Sequence, residues 1–361
     1  MKTYIIYILM LLAFTACSTG DSDNGVLPQG VNNPLNPSDE GPDENTRVDG
    51  SWLIPKDQVK DGGPGKDGIP SIDFPKFISA DEATFLSDND LIVGIIDDGI
   101  PKAYPHEILD WHEVVNDNDI AINYCPLTGT AFAWEAKDVD FGVSGLLYNS
   151  NLIMYDRNTQ SNWSQLKLQC VNGSAIGNRP TLLKVIETDW KTWSRIYPKT
   201  EVLSLNTGFP RDYTTYPYGD YKTNHDRLIF SVSPTNDALP SKQRVFALIN
   251  RGSSKAYKFS DFTDGKAFKD NFSFADYVIV GNSSLIYAFK LSENLKHLNF
   301  EYSHSNGEEF FKDDEGNAWN IFGEAIEGPR KGQVLGTANS VVSFWFAVAA
   351  FYPNIQLYSN K

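Results

Sequence analysis

The sequence predicts an α+β chain, predominantly β, built as two homologous β-rich lobes from an internal duplication, each closed by a short helix. Three observations predict it. Apolar runs of strand length recur between Gly, Asn and Asp punctuation; three sequence blocks reappear in the same order in the second half; and each series ends in a helix-like stretch stopped by a proline.

In chain order, residues 1–16 read as a signal peptide. The opening MKTYIIYILMLLAFTAC carries one lysine, an apolar run of about a dozen residues and then small residues, the layout of a secretory signal. Because Phe14-Thr-Ala-Cys17 ends the run at a cysteine, it resembles a bacterial lipoprotein signal, so Cys17 is expected to be lipidated; a plain signal peptide cleaved near Ala16 is the other reading. Residues 17–54, rich in Ser, Gly, Asn, Pro and Asp, read as a lipidated, disordered tether. Asp21 and Asp23 resemble the surface-export signal of Bacteroidetes-type lipoproteins. The expected location is the cell envelope, anchored by lipid to the outer membrane; exposure at the surface is one reading of Asp21 and Asp23, a solvated linker the other, and the membrane face stays open.

Lobe one is placed at 55–205 and lobe two at 237–361. Strands are expected at Leu91-Ile-Val-Gly-Ile-Ile96, Ala121-Ile-Asn-Tyr124, Leu152-Ile-Met-Tyr155, Val245-Phe-Ala-Leu-Ile249 and Tyr277-Val-Ile-Val280. Helices are expected only at Thr188 to Tyr197 and Ser340 to Phe351, each ended by proline. The repeat aligns Lys102-Ala-Tyr104 with Lys255-Ala-Tyr257, Trp163 with Trp319, and Trp190 with Trp345, at separations of 153, 156 and 155 residues. Residues 206–236, with Tyr213, Tyr216, Tyr218 and Tyr221, are an aromatic connector expected to pack between the lobes, with an aromatic cleft wall as the second reading.

With 46 acidic against 31 basic residues and a net charge of -15, the surface repels phosphates, so nucleic acid is excluded as a partner. The expected partners are the membrane, through the anchor, and a small molecule or an envelope protein.

The repeat also sorts the polar residues. Lobe two keeps an acidic turn and tryptophan at Asp313 to Trp319, but where lobe one reads Tyr124-Cys-Pro-Leu-Thr-Gly-Thr130 it reads Val280-Gly-Asn-Ser-Ser-Leu-Ile286. Candidate catalytic residues are therefore Cys125, His112 and Glu113, since a nearby imidazole lowers a thiol's pKa and frees a nucleophile. Candidate binding residues are Asn116, Asp117, Thr128, Ser144, Asn149, Asp156 and Arg157. Other readings stay open for the cysteine: a buried inert thiol, or a disulfide with Cys170. His112 also reads as a residue that caps or hydrogen-bonds a turn beside Asn116 and Asp117, the favoured reading for a lone histidine, and His106 carries less weight. A soft metal, copper or zinc, suits a thiolate, but no Cys-x-x-Cys or His-Glu-x-x-His indicates one. Gly142-Val-Ser-Gly145 lacks the hydrolase elbow spacing, and Gly62 to Gly68 lacks that of a phosphate loop.

The motifs Gly65-Lys-Asp-Gly-Ile-Pro-Ser-Ile-Asp73, His112-Glu-Val-Val-Asn-Asp117, Tyr124-Cys-Pro-Leu-Thr-Gly-Thr130, Phe141-Gly-Val-Ser-Gly-Leu-Leu-Tyr-Asn-Ser150 and Phe344-Trp-Phe-Ala-Val-Ala-Ala-Phe-Tyr-Pro353 resemble those of the bacterial and archaeal family called domain of unknown function 3179. The resemblance spans about residues 55 to 360 and implies no activity. Members often carry a second cysteine where Thr128 stands, which puts a dithiol motif in doubt here. Two functions follow as expectations: a lipid-anchored extracytoplasmic protein that binds a ligand or partner, or a thiol-dependent enzyme or redox or metal-handling protein using Cys125 with His112.

Overall fold

Each half of the chain opens with a two-residue hairpin whose turn dictates its register. Asp98 and Gly99 sit at φ 46° and 80°, and Arg251 and Gly252 at 49° and 71°, the paired left-handed conformations that match the right-handed twist of the flanking strands. The structure, a computed structural model, describes residues 52–305 and 307–359. The expected signal peptide, Cys17 and nearly all of the tether lie outside these residues.

In the first half, Leu91–Asp97 pairs antiparallel with Ile100–Pro105 and with Ile186–Asp189, while Ile100–Pro105 pairs parallel with Glu201–Leu203. In the second half, Arg244–Asn250 pairs antiparallel with Ser253–Lys258 and Ser340–Phe344, and Ser253–Lys258 pairs parallel with Gln356–Leu357. An antiparallel sheet follows in each: Val114–Asp117, Ile120–Cys125, Thr130–Glu135 and Leu182–Leu183, then Lys266–Phe272, Ala275–Gly281, Ile286–Lys290 and Gly336–Thr337. A third begins at Phe141–Tyr148 in the first half and at Phe300–Tyr302 in the second, each adding three further strands in chain order. The second half thus repeats the strand order and directions of the first, which adds edge strands Val59–Asp61 and Phe77–Ser79.

Among the described residues, three α-helices accompany the strands: α1 (His106–His112), α2 (Trp190–Ile196) and α3 (Trp345–Phe351). Asp189 starts α2 by accepting the Thr192 amide at 2.7 Å. The helix expected from Ser340 begins only at Trp345, because β-branched Val341 and Val342 pair with the strand Arg244–Asn250. Helix α1 was not expected. Its buried side chains include His106, Asp110 and His112 beside Ile108 and Leu109, so no apolar stripe announces it.

Two cores are shared between the halves. Trp190, Trp193 and Ile196 of α2 join Ile92 and Ala103 with second-half Phe246, Leu248 and Phe289. Trp193 lies so close over Gly94 that a Cβ there would come within 2.3 Å of its ring. Trp345, Ala347 and Val348 of α3 join first-half Cys125, Leu127, Phe132 and Trp134. This exchange holds residues 52–359 in one compact unit.

The connector packs. Its hydroxyls reach partners on the first half: Tyr216 donates to Pro126 O at 3.3 Å, Tyr221 to Leu127 O at 3.0 Å and Tyr218 to a Glu113 carboxylate oxygen at 3.4 Å. It covers the turn after Cys125.

Candidate functional site

Strand Ile120–Cys125 ends in a turn closed by the Gly129 amide on Cys125 O at 2.8 Å; Gly129 takes the left-handed φ of 60°, and a Cβ there would sit tightly, 3.3 Å from the Phe344 ring. Cys125 is 1% exposed; its thiol reaches Ser150 O at 3.6 Å and also lies near Thr128 and the Leu152 backbone. Burial, reinforced by the charge of Glu113, pushes its pKa up to about 11. The thiol therefore stays protonated at neutral pH. Cys170 is likewise free and buried, so the two form no disulfide.

His112 does not assist the thiol. Its Nδ1–H donates to Pro70 O at 2.7 Å, which leaves Nε2 to accept the Tyr213 hydroxyl at 2.7 Å. Burial lowers its pKa, so the ring is a neutral brace between the 70-loop and the connector.

The other candidates disperse. Asn116 ties Asp73 (2.8 Å) to the backbone of Phe141, and Arg157 meets the same Asp73 at 2.8 Å. Thr128 belongs to a buried network with Thr130, Asn151, Gln165 and Asn123 in which each amide and hydroxyl is matched. Ser144 braces a strand irregularity by bonding Ile153 O and receiving the Leu146 amide. Asn149, at φ 49°, pairs its side-chain amide with the Ser233 backbone. Asp156 holds its turn through Thr159 and the Trp163 indole, bonds that keep its pKa low against the effect of burial.

Two of these arrangements occur twice. Lys102 and Tyr104 both bond Asp117, at 2.7 and 2.6 Å, and Lys255 and Tyr257 bond Asp270, at 2.8 and 2.7 Å. Trp319 bonds Asp313 at 2.9 Å as Trp163 bonds Asp156. A feature built in both halves is explained by the architecture, which removes Asp117 and Asp156 from the list of specific residues.

What has no counterpart in the second half is an ionisable cluster whose acids and histidine are buried. From α1 come His106 and Asp110, one turn apart on the same face, with Glu113 at the helix end; Glu187 comes from the central sheet, Arg244 from the second half and Lys222 from the connector. Arg244 pairs with Glu187 at 2.6 Å and Lys222 with Asp110 at 2.7 Å. His106 lies against the Tyr124 ring, 4.4 Å between centroids. Its Nε2 is 3.7 Å from Glu187, too long for a hydrogen bond. Burial, together with Lys222 and Arg244, drives its pKa far down, so the ring is neutral and the approach is not an ion pair. Burial also raises Asp110 to about 6 and Glu113 to about 8, and it raises Glu187 against the opposing charge of Arg244.

Four atoms of this cluster are buried without a hydrogen-bond partner: both ring nitrogens of His106, Asp110 Oδ1 and Glu187 Oε2. Each such atom costs about 1–3 kcal/mol. Nothing in the architecture requires them. At the separation of 153 that relates Lys102 to Lys255 and Asp117 to Asp270, His106 and Asp110 correspond to Phe259 and Thr263; by sheet register, Glu187, opposite Val93, corresponds to Val342, opposite Phe246. Sequence reasoning gave His106 little weight and passed over Asp110, Glu187, Lys222 and Arg244. The readable signal is His106-x-x-x-Asp110 together with the absence of both residues from the corresponding second-half positions, Phe259 and Thr263. Among the described residues, no three His, Cys, Asp or Glu side chains are arranged to hold a metal ion.

A family model described as "Protein of unknown function (DUF3179)" matches residues 66–355. No curated protein and no solved structure matches this chain.

Proposed function

The chain belongs to that family, whose description carries no activity, and on this premise we propose that it is a lipid-anchored extracytoplasmic protein binding a small polar ligand at the first-half cluster. One observation carries the reading: ionisable groups whose counterparts are Phe259, Thr263 and Val342 stay buried with unmet hydrogen-bonding capacity. The free atoms are mostly acceptors, so the ligand is rich in hydrogen-bond donors. Lys222 and the connector tyrosines close the site, and their displacement admits the ligand.

We further infer that the two halves are lobes descended from one duplicated unit, a reading supported by the repeated strand order and the twice-built Lys–Tyr–Asp and Trp–Asp arrangements. The anchor rests on the sequence before residue 18, and radiolabelled palmitate incorporation that survives Cys17→Ser would refute it. The thiol-enzyme alternative lacks support in the geometry: Cys125 is sealed and protonated, and the imidazole proposed to activate it is held by Pro70 and Tyr213.

The test uses His106→Phe, which removes both ring nitrogens and keeps an aromatic ring, as at the corresponding second-half position Phe259, with thermal melting as the check on the fold. Native mass spectrometry of wild type is expected to show a retained small molecule, or calorimetry a titratable polyamine or amino-sugar, with binding at least about tenfold weaker in the variant. Equal behaviour of the two proteins would remove the cluster from the function.

A further inference from the structure

The described surface leaves two large apolar side chains almost fully open, Phe274 at 92% and Phe74 at 88%; the next, Val334, is 55% exposed. Single exposed apolar residues are ordinary, but these two have unusual settings.

Phe274 stands at the tip of the hairpin Lys266–Phe272/Ala275–Gly281, where Ser273 and Phe274 adopt φ 48° and 63°. Both positions are left-handed, the conformation that Asn and Gly accept and a bulky aromatic resists. The first half makes its corresponding turn with Asn118 and Asp119, between paired Asp117 and Ile120. An aromatic is therefore no requirement of the turn. Asn250 donates to Ser273 O at 3.2 Å, which holds the neighbouring turn Arg251-Gly252 beside the tip. Arg251 is exposed and has no ion pair among the described residues. The tip offers one aromatic ring and one unpaired cation.

Phe74 stands on the rim of a cleft of about 460 Å³ whose lining includes Pro75, Lys76, Phe77 and Asn118. The adjoining turns carry exposed Asp98 and Asp119, next in sequence to Asp97, which pairs with cleft residue Lys102, and to Asn118. The cleft side thus offers an aromatic rim and two exposed acids against one exposed lysine of the lining, Lys76, a net negative charge opposite in sign to the cation of the tip.

We propose that the Phe274 tip of one copy docks in the Phe74 cleft of a second copy, Phe274 packing on Phe74 and Phe77 and Arg251 facing Asp98 and Asp119. The contact is heterologous, so each copy keeps a free tip and a free cleft, and copies join head to tail into short chains. With one ring as its anchor, the contact is weak, at the low end of specific interfaces. On a membrane that holds the copies at high local concentration, weak contacts suffice.

Two variants of the full-length chain test this by complementation. Phe274→Asp removes the tip and leaves the cleft; Phe74→Asp does the reverse. Both positions are exposed, so unchanged thermal melting checks the fold. Sedimentation velocity on wild type is expected to show association that grows with concentration and falls at high salt. Each variant alone should be monomeric, with association weakened at least about tenfold, and their mixture should form a one-to-one dimer and nothing larger. Three results would overturn the proposal: a wild type monomeric to near-millimolar concentration, as when residues 18–50 cover either phenylalanine; a mixture that stays monomeric; or a monomer that binds phosphatidylcholine–phosphatidylglycerol vesicles in a Phe274-dependent way, which would make the tip a lipid contact.

Discussion

Replacing Glu113 with Gln should stabilise the protein in a strongly pH-dependent way. Burial raises the Glu113 carboxyl from its ordinary 4.5 to about 8, with the charge of Asp110 adding to the rise and the Tyr218 hydroxyl opposing it. The sign follows from linkage. Below about pH 4.5 the carboxyl is protonated in both states; above it the unfolded chain releases the proton while the folded protein retains it up to about 8, so stability is lost across that window. At about 1.4 kcal/mol per pH unit, the loss is on the order of 4–5 kcal/mol by pH 8. Glutamine keeps an acceptor for Tyr218 and cannot ionise. Urea unfolding at about pH 4.5 and pH 8.5 should therefore give near-equal stabilities for wild type and Glu113→Gln at the lower pH and a variant several kcal/mol more stable at the higher. A variant equally destabilised at both values would show that the carboxyl is solvated or paired in the folded protein, and the description of the cluster would fail.

Asp270→Asn should cost about 3 kcal/mol in urea unfolding, because it strands the mostly buried Lys255, whereas Asp117→Asn should cost less, because Asp97 still holds Lys102; a larger cost for Asp117→Asn would contradict this account of the two lysines. Gly94→Ala drives a Cβ to within 2.3 Å of Trp193 and should cost about 1–3 kcal/mol, read as a lower denaturant midpoint, whereas an unchanged midpoint would mean the indole can shift. Cys125 and Cys170, with thiols raised to about 11, should resist labelling in native protein near pH 8 and react fully in denaturant. Rapid native labelling of Cys125 would revive the enzyme reading.

Much of the fold was legible because strands announce themselves locally. Runs such as Val245 to Ile249 and Tyr277 to Val280 are apolar on both faces and bounded by turn residues, and they lie within the strands Arg244–Asn250 and Ala275–Gly281. The α1 helix was illegible for the opposite reason: its buried face carries His106 and Asp110, which read as surface residues. The site was harder still. Cys125 and His112 lie 13 residues apart, yet the strand buries the thiol among aliphatic and aromatic side chains while Pro70 and Tyr213, from distant segments, claim the imidazole. Glu187, Arg244 and Lys222 come together only through sheet pairing and the path of the connector, neither of which leaves a local pattern. Comparison with the second half points to the segment from His112 to Cys125, whereas the buried atoms without partners lie on His106, Asp110 and Glu187.

The central claim is that His106, Asp110 and Glu187 stay buried because a bound polar group completes them. A high-resolution crystal structure of protein purified without added ligand tests it most directly. Density for a non-protein molecule bonded to His106, Asp110 Oδ1 and Glu187 Oε2 is the expected result; side chains turned to satisfy one another, with no density between them, would contradict it.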